Sequence, residues 1–209
     1  INADPPLILA VARHLYSIGL TIPWGGFFAP IRMPGGYFDI LAECGLTHVE
    51  FGTEALCDSV LQAYGKPFRV SHVFDAHRAA RAAGLHVAHY FLFAGPGESE
   101  QTLATSLSRI DRLKKTVLFL FCGMRIYPHT ALYELALEQG QIESDPSILE
   151  PVFYRSPWIT VSRAADMIAE HAKDRKNWVY AAGGEATGEI LDRMYRGGFS
   201  GPLWEFLIR

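Results

Sequence analysis

"AGLHVAHYFLF", Ala83 to Phe93, changes character at one glycine: small helix-forming residues precede Gly84, and a β-rich run follows Leu85. The same grammar governs "CGLTHVEFG" (Cys44 to Gly52) and "IGLTIPW" (Ile18 to Trp24). Glycine just past a helix takes the left-handed cap conformation without a Cβ penalty, and the chain then enters a strand directly. Such junctions are the short αβ connections of βαβ units. They place strands near 20–24, 46–52, 86–93 and 116–122. Val73, Ala76, Ala80 and Ala83 share one helix face after a candidate N-cap at Ser71; Leu103, Leu107 and Ile110 form a second stripe after Ser99. A third helix runs from about Thr130 to Gln139. This alternation predicts a parallel sheet with helices packed outside it. The irregular glycine spacing excludes a solenoid and suits all or part of a (β/α) barrel.

Beyond Gly140 the grammar stops. "SDPSILEPVFYRSPW" (Ser144 to Trp158) reads as a traversing loop, followed by a helix over about Ser162 to Lys176, a loop at "AAGGEATG" and a short helix to Arg196. The reading divides the chain into a partial barrel, 1–143, and an extension, 144–209, that packs on it as a mainly helical cap. Trp158, Trp178 and Trp204 are expected to be packing anchors.

The 209 residues, 49% hydrophobic and 20% charged with net charge −3, suit one soluble domain with an appendage. No basic stripe supports nucleic-acid binding, and no apolar run reaches the roughly 20 residues of a membrane span. Three cysteines make no secreted disulfide framework, so a cytoplasmic location is expected.

In parallel α/β sheets ligands bind at the carboxyl ends of strands. Four places qualify: Trp24-Gly25-Gly26, Gly52-Thr53-Glu54, Phe93 to Glu98, and Arg125 to Thr130. In "FAGPGES" Gly95 lets backbone approach something closely, Gly97 completes a turn, and Glu98-Ser99 opens a helix; the local pattern fits a plain turn equally well. Glu54 is placed to accept from vicinal hydroxyls or to serve as a first-turn acid. Tyr127-Pro128, after Arg125, fixes a ring beside extended backbone at a strand mouth, or simply starts a helix.

Taken in order, "THVEFGTEALCDSVLQAYGKPF", "AGLHVAHYFLFAGPGESEQTLATSL" and "RIYPHTALYELALEQG" resemble the second half of a radical S-adenosylmethionine (SAM) enzyme, closest to the group with a cobalamin-binding domain. The tail, with "FYRSPWIT", "KNWV" and "GPLWE", is similar to C-terminal regions of some members. The resemblance implies a partial (β/α)6 TIM-like barrel and reductive cleavage of SAM for radical chemistry, with cobalamin-dependent C-methylation or a rearrangement as outcome. It implies that Glu54 reaches the SAM ribose, that Gly95 and Gly97 with Phe93 form the SAM-facing turn, and that Arg125, Tyr127 and Pro128 flank the adenine. It places Trp24 at the same cavity. His129 stands where glycine is common in the family.

Family chemistry needs a [4Fe–4S] cluster on CxxxCxxC, and this chain has no such motif. Cys44 and Cys57 lie at opposite ends of one strand of about seven residues, roughly 20 Å apart, and Cys122 reads as core. No residue is therefore expected to ligate a metal. Because the chain begins at Ile1, the reading takes it as a C-terminal piece, with "INADPP" as the loop after a missing strand. The implied partners are a small-molecule or lipid-like substrate, the missing N-terminal barrel segment with a cobalamin domain, and a reductant such as flavodoxin or ferredoxin. The piece alone would be inactive. Two alternatives stand beside this reading: a self-contained lyase or aldolase without a cluster, and a non-catalytic half-barrel that pairs with another chain.

Overall fold

The computed structural model describes residues 1–20, 22–143, 150–180 and 184–208. In chain order the elements are α1 (Pro5–Ser17), β1 (Trp24–Phe28), α2 (Tyr37–Glu43), β2 (Leu46–Glu54), α3 (Asp58–Ala63), α4 (Val70–Ala82), β3 (His86–Phe93), α5 (Glu100–Ile110), β4 (Val117–Cys122), α6 (Ala131–Glu138), α7 (Val161–Ala172), β5 (Trp178–Tyr180), α8 (Gly184–Arg196) and a 3-10 turn, Trp204–Leu207. The strands form one parallel sheet in the order β1-β2-β3-β4-β5. Neighbours in sequence are neighbours in the sheet, as in a (β/α) barrel and unlike a doubly wound sheet, whose order reverses.

The three glycine junctions hold: Gly19, Gly45 and Gly84 all have positive φ. After Gly19, however, the strand begins at Trp24, where the expected one ends. Pro23 has no N–H to give a ladder, so pairing starts behind it, in "WGGFF". Trp24 therefore opens its strand at the amino end of the sheet, and its expected place at the carboxyl-end cavity is corrected. Its Nε1 donates to the Cys44 carbonyl at 3.0 Å. Helix α4 also starts earlier than expected: Arg69, not Ser71, is the N-cap, and Asp58 accepts from the Val70 N–H at 2.8 Å. At the other end of the chain α1 reaches back to Pro5, with Asp4 capping the Leu7 N–H at 3.1 Å. Asn2 is buried and clasps Ala29, donating to its carbonyl at 2.7 Å and accepting from its N–H at 2.8 Å.

Side chains alternate across the sheet. Val49, Phe51, Val87, Phe91, Phe93, Leu118 and Leu120 lie in the core shared with the helices. Each fully buried side chain of this kind stabilises the fold by about 1.5–3 kcal/mol. Among the other-face residues, Phe27, Tyr90, Phe119 and Phe121 form an aromatic row, with Tyr90 stacked on Phe119 at 4.6 Å and Phe27 5.3 Å from Tyr90. Trp204 packs there against Ala88 and Val117 and donates to Glu50 Oε1 at 3.3 Å. The extension thus contributes more than helices: β5 adds a strand, and the 3-10 turn covers part of the second face. Trp178 and Trp204 are buried anchors, whereas Trp158 is 69% exposed and anchors nothing. The "AAGGEATG" loop is helical from Gly184; its first three residues lie outside the described ones. No described helix is long and apolar enough to cross a membrane.

A buried polar chain links β2, β3 and α4. Thr53 Oγ1 meets His89 Nδ1 at 2.7 Å, and His89 Nε2 meets His77 Nδ1 at 3.0 Å. His77 and His48 are both buried. Burial above all, with Arg81 and Arg78 nearby, lowers the His77 pKa from 6.5 to about 4, and burial with His77 holds His89 well below its usual value. A histidine kept neutral by the fold binds its proton more readily when unfolded, so stability falls with pH from about 6.5 down to about 4. Urea unfolding of wild type and His77→Gln between pH 8 and pH 4 checks this. The wild type should lose on the order of 3 kcal/mol more than the variant at the acid end; equal slopes would show that His77 is not held neutral.

Candidate functional site

At the carboxyl edge of the sheet three residues other than glycine, Glu54, Ala94 and His129, take left-handed backbone; Lys115, Asp174 and Leu203 do so elsewhere. At the end of β2 the register with β3 shifts between Gly52 and Glu54. Thr53 continues the helix-side alternation of Val49 and Phe51, where it meets His89, and Glu54 takes a left-handed conformation, φ +63°. Such a conformation costs an L-residue roughly 1–2 kcal/mol. The Glu54 carboxylate accepts from Lys66 Nζ at 2.7 Å, with the two side chains 20% and 30% exposed.

At the end of β3, Ala94 is also left-handed, φ +63°, as is Gly97 at +72°. Ala94 N–H donates to Glu98, whose carboxylate lies fully buried inside the turn with Oε1 unpartnered. Glu98 therefore turns back on its own loop; Ser99 alone caps α5, in a capping box with Thr102. Burial pushes the Glu98 carboxyl from 4.5 up to about 7, against the pull of the Ala94 and Gly95 amides.

Gly95 is required by a close approach from within the chain. A Cβ there would stand 2.6 Å from the Tyr64 hydroxyl, which accepts from Gly95 N–H at 3.2 Å and donates to the Leu92 carbonyl at 3.1 Å. A Cβ at Gly97 would stand 2.9 Å from that of Ala63. The end of α3 is thus fitted against the glycine turn. Phe93 points its ring into the helix-side core, so only its backbone, which accepts from Gly123 N–H at 2.9 Å, reaches the edge.

Beyond β4, residues 124–126 pair with 152–154: Ile126 N–H donates to Val152 and Tyr154 N–H to Met124, each at 2.8 Å. The Arg125 guanidinium lies over the Tyr127 ring at 4.9 Å, and its Nε is buried without a partner. Tyr127 is half-exposed, Pro128 follows it, and Thr130 caps α6. A cavity of about 490 Å³ opens here, lined by Leu92, Phe121, Cys122, Arg125, Tyr127 and Phe153.

Of the expected site residues, Glu54, Gly95 and Gly97 come together around the end of α3, and Arg125, Tyr127 and Pro128 form the β4 mouth. Trp24 lies at the opposite end of its strand. The sequence reading missed Tyr64 and Lys66 as parts of this edge; "AYGKP", a helix end with glycine then proline, was the available signal. It also missed the aromatic row, legible only in part, as Phe119 and Phe121 two apart on β4.

The described residues do not fit a [4Fe–4S] cluster. Cys44 ends α2 ahead of β2, Cys57 follows β2, and burial pushes the Cys122 thiol up to about 11. Among the described residues no group of three His, Cys, Asp or Glu side chains is placed to hold a metal ion.

Residues 24–110 match the family model of the Radical SAM superfamily. No curated protein matches the chain. Among solved structures, the fold superposes on the radical SAM methyltransferase TsrM from Kitasatospora setae, solved with cobalamin and a [4Fe–4S] cluster bound, with a TM-score of 0.74 over 97% of this chain and 48% of that one, at 16% identity. It also superposes on OxsB, a cobalamin-dependent SAM radical enzyme (TM-score 0.57, 12% identity, 92% of this chain and 36% of that one). Elp3 from the archaeon Methanocaldococcus infernus matches with a TM-score of 0.58 at 16% identity, over 85% of this chain and 42% of that one. The chain spans about half the length of TsrM and less of the others. The stretch from β1 to the end of α5 thus matches the Radical SAM model, and the chain shares its fold with the radical SAM enzymes TsrM and OxsB.

The buried Glu98 makes a further prediction. Its proton is held up to about pH 7 in the fold but only to 4.5 when unfolded, so stability falls as pH rises through that window and is flat above it. Glu98→Gln should abolish this slope and be the more stable protein at pH 8, by on the order of 2–3 kcal/mol. Urea midpoints across pH 5–8 measure it; an unchanged slope would show that Glu98 is already ionised in the fold.

Proposed function

We propose that this chain supplies the SAM-binding wall of a radical SAM enzyme, at the carboxyl edge of β2, β3 and β4. The observation that carries the reading is the cavity beside Arg125, whose Nε is buried and unpartnered, on the same edge as left-handed Glu54, Ala94 and His129. Backbone strain held in place by surrounding structure is the mark of a site. In this reading Glu54 accepts from a ribose hydroxyl, the Ala94–Gly97 backbone supports the nucleoside, and Arg125 with Tyr127 borders the adenine. Glu98 keeps the glycine turn closed from beneath. Bound SAM supplies the methyl or adenosyl group that the family's chemistry transfers or uses as a radical source. The described residues do not fit a [4Fe–4S] cluster. The likeness to TsrM supports methyl transfer to a small-molecule substrate as the outcome in the whole enzyme.

Equilibrium dialysis or calorimetry of the 209-residue chain with S-adenosylhomocysteine tests the site without requiring turnover. Glu54→Ala and Arg125→Ala should each weaken binding about tenfold, the size of one lost hydrogen bond to a charged group. A folded chain that does not bind the nucleoside, or variants that bind as the wild type does, would sink the reading.

A further inference from the structure

Three of the six buried side-chain polar atoms that lack a hydrogen-bond partner among the described residues gather at one interface: His48 Nε2, Glu50 Oε2 and Glu205 Oε2. It lies between the second face of the sheet and the Trp204–Leu207 turn. Trp204 stands edge-on to the His48 ring at 5.2 Å and gives its Nε1–H to Glu50. Glu205 brings Oε2 to 3.5 Å from His48 Nε2, beyond a firm hydrogen bond. Docking thus takes polar groups out of water without pairing them, which offsets part of what burying Trp204 contributes. The chain leading into the turn is a hinge. Gly198 and Gly201 have positive φ, +86° and +94°, and the buried Leu203 is itself left-handed at +63°, a strain that lifting the turn relieves.

We propose that this turn is an acid-released flap over the second face of the sheet, with His48 as its proton sensor. The charged and titratable groups facing His48 are Glu205 from the turn, His86 stacked on it at 4.9 Å from β3, and Glu50 two residues along its own strand; β1 presents only the backbone of Gly25. Burial above all lowers the His48 pKa from 6.5; Glu205 and Glu50 pull upward and His86 downward, and the balance stays below the usual value. With the turn lifted, the imidazole regains water and its ordinary affinity for a proton. Protons therefore favour the lifted state: docking is fully favoured above about pH 6.5 and weakens as pH falls below it. Lifting uncovers Ala88 and Val117 and the neighbouring rings of Tyr90 and Phe119, so acid opens the second face from the amino end of the sheet.

Fluorine NMR of the chain carrying 5-fluorotryptophan at its four tryptophans reads the turn directly. The Trp204 signal is assigned by its absence in Trp204→Phe and followed from about pH 8 to about pH 5. In the wild type the lifted population should grow by up to about tenfold per pH unit below 6.5, while the Trp24 and Trp178 signals stay in place. His48→Gln should lift to the same extent at every pH. Glu205→Gln removes a group that pulls a proton onto docked His48, so its lifting should be at least as steep and continue further into acid. The inference is overturned by a Trp204 signal that does not respond to pH, by a turn that docks more tightly in acid, or by a His48→Gln protein with the wild-type response. A Glu205→Gln protein that has lost its response overturns it as well. So does joint movement of the Trp24, Trp178 and Trp204 signals, which reports unfolding of the whole chain rather than release of a flap.

Discussion

The carboxyl edge depends on where one hydroxyl goes. Thr53 lies at the mouth of a strand, where a threonine facing outward would be unremarkable. Instead it is fully buried and bonded to His89, which is bonded in turn to His77. A buried hydroxyl without a partner would cost about 1–3 kcal/mol, so the imidazole pair holds Thr53 where it is. Just beyond Thr53 the register with β3 slips, and Glu54 takes left-handed backbone. The pair of histidines on the dry side of the sheet therefore anchors the residue next to an acid at the mouth.

The β3 end solves a similar problem by other means. Ala94 is left-handed without being glycine, and a side chain four residues on, Glu98, receives its N–H. The turn is pinned from outside by Tyr64, whose hydroxyl both accepts from and donates to backbone at the strand end. Two glycines are spent on contact with α3. The edge is thus braced by contacts from within the chain.

Much of this was legible in the sequence, and the failures have physical causes. Gly45 and Gly84 mark true helix ends, and the strands after them run as expected because β-rich residues follow without a breaker. At Gly19 the same signal misplaced a strand by several residues, since Pro23 delays pairing and two glycines in "WGGFF" hide a strand held mainly by its neighbour. The order "GTEA", "GPGES", "RIYPHT" located the edge, but the partners within it, Tyr64 and Lys66, come from a helix end whose approach to the sheet no local pattern encodes. β5 is only three residues long, too short to show a period. The pairing of His77 with His89 exists only once α4 is laid on the sheet.

The contact between Trp204 and Glu50 has a kinetic meaning. It joins residues 154 positions apart, while most of the sheet is built from neighbouring βα units. Long-range contacts form late because loop closure must come before any gain from them. The helix-side core can therefore consolidate first, leaving Tyr90 and Phe119 wet on the other side until the Trp204 turn docks over them. A nascent or partly denatured chain would present that aromatic face to whatever is near, which makes the docking of this turn the step at which chaperones and aggregation compete with folding.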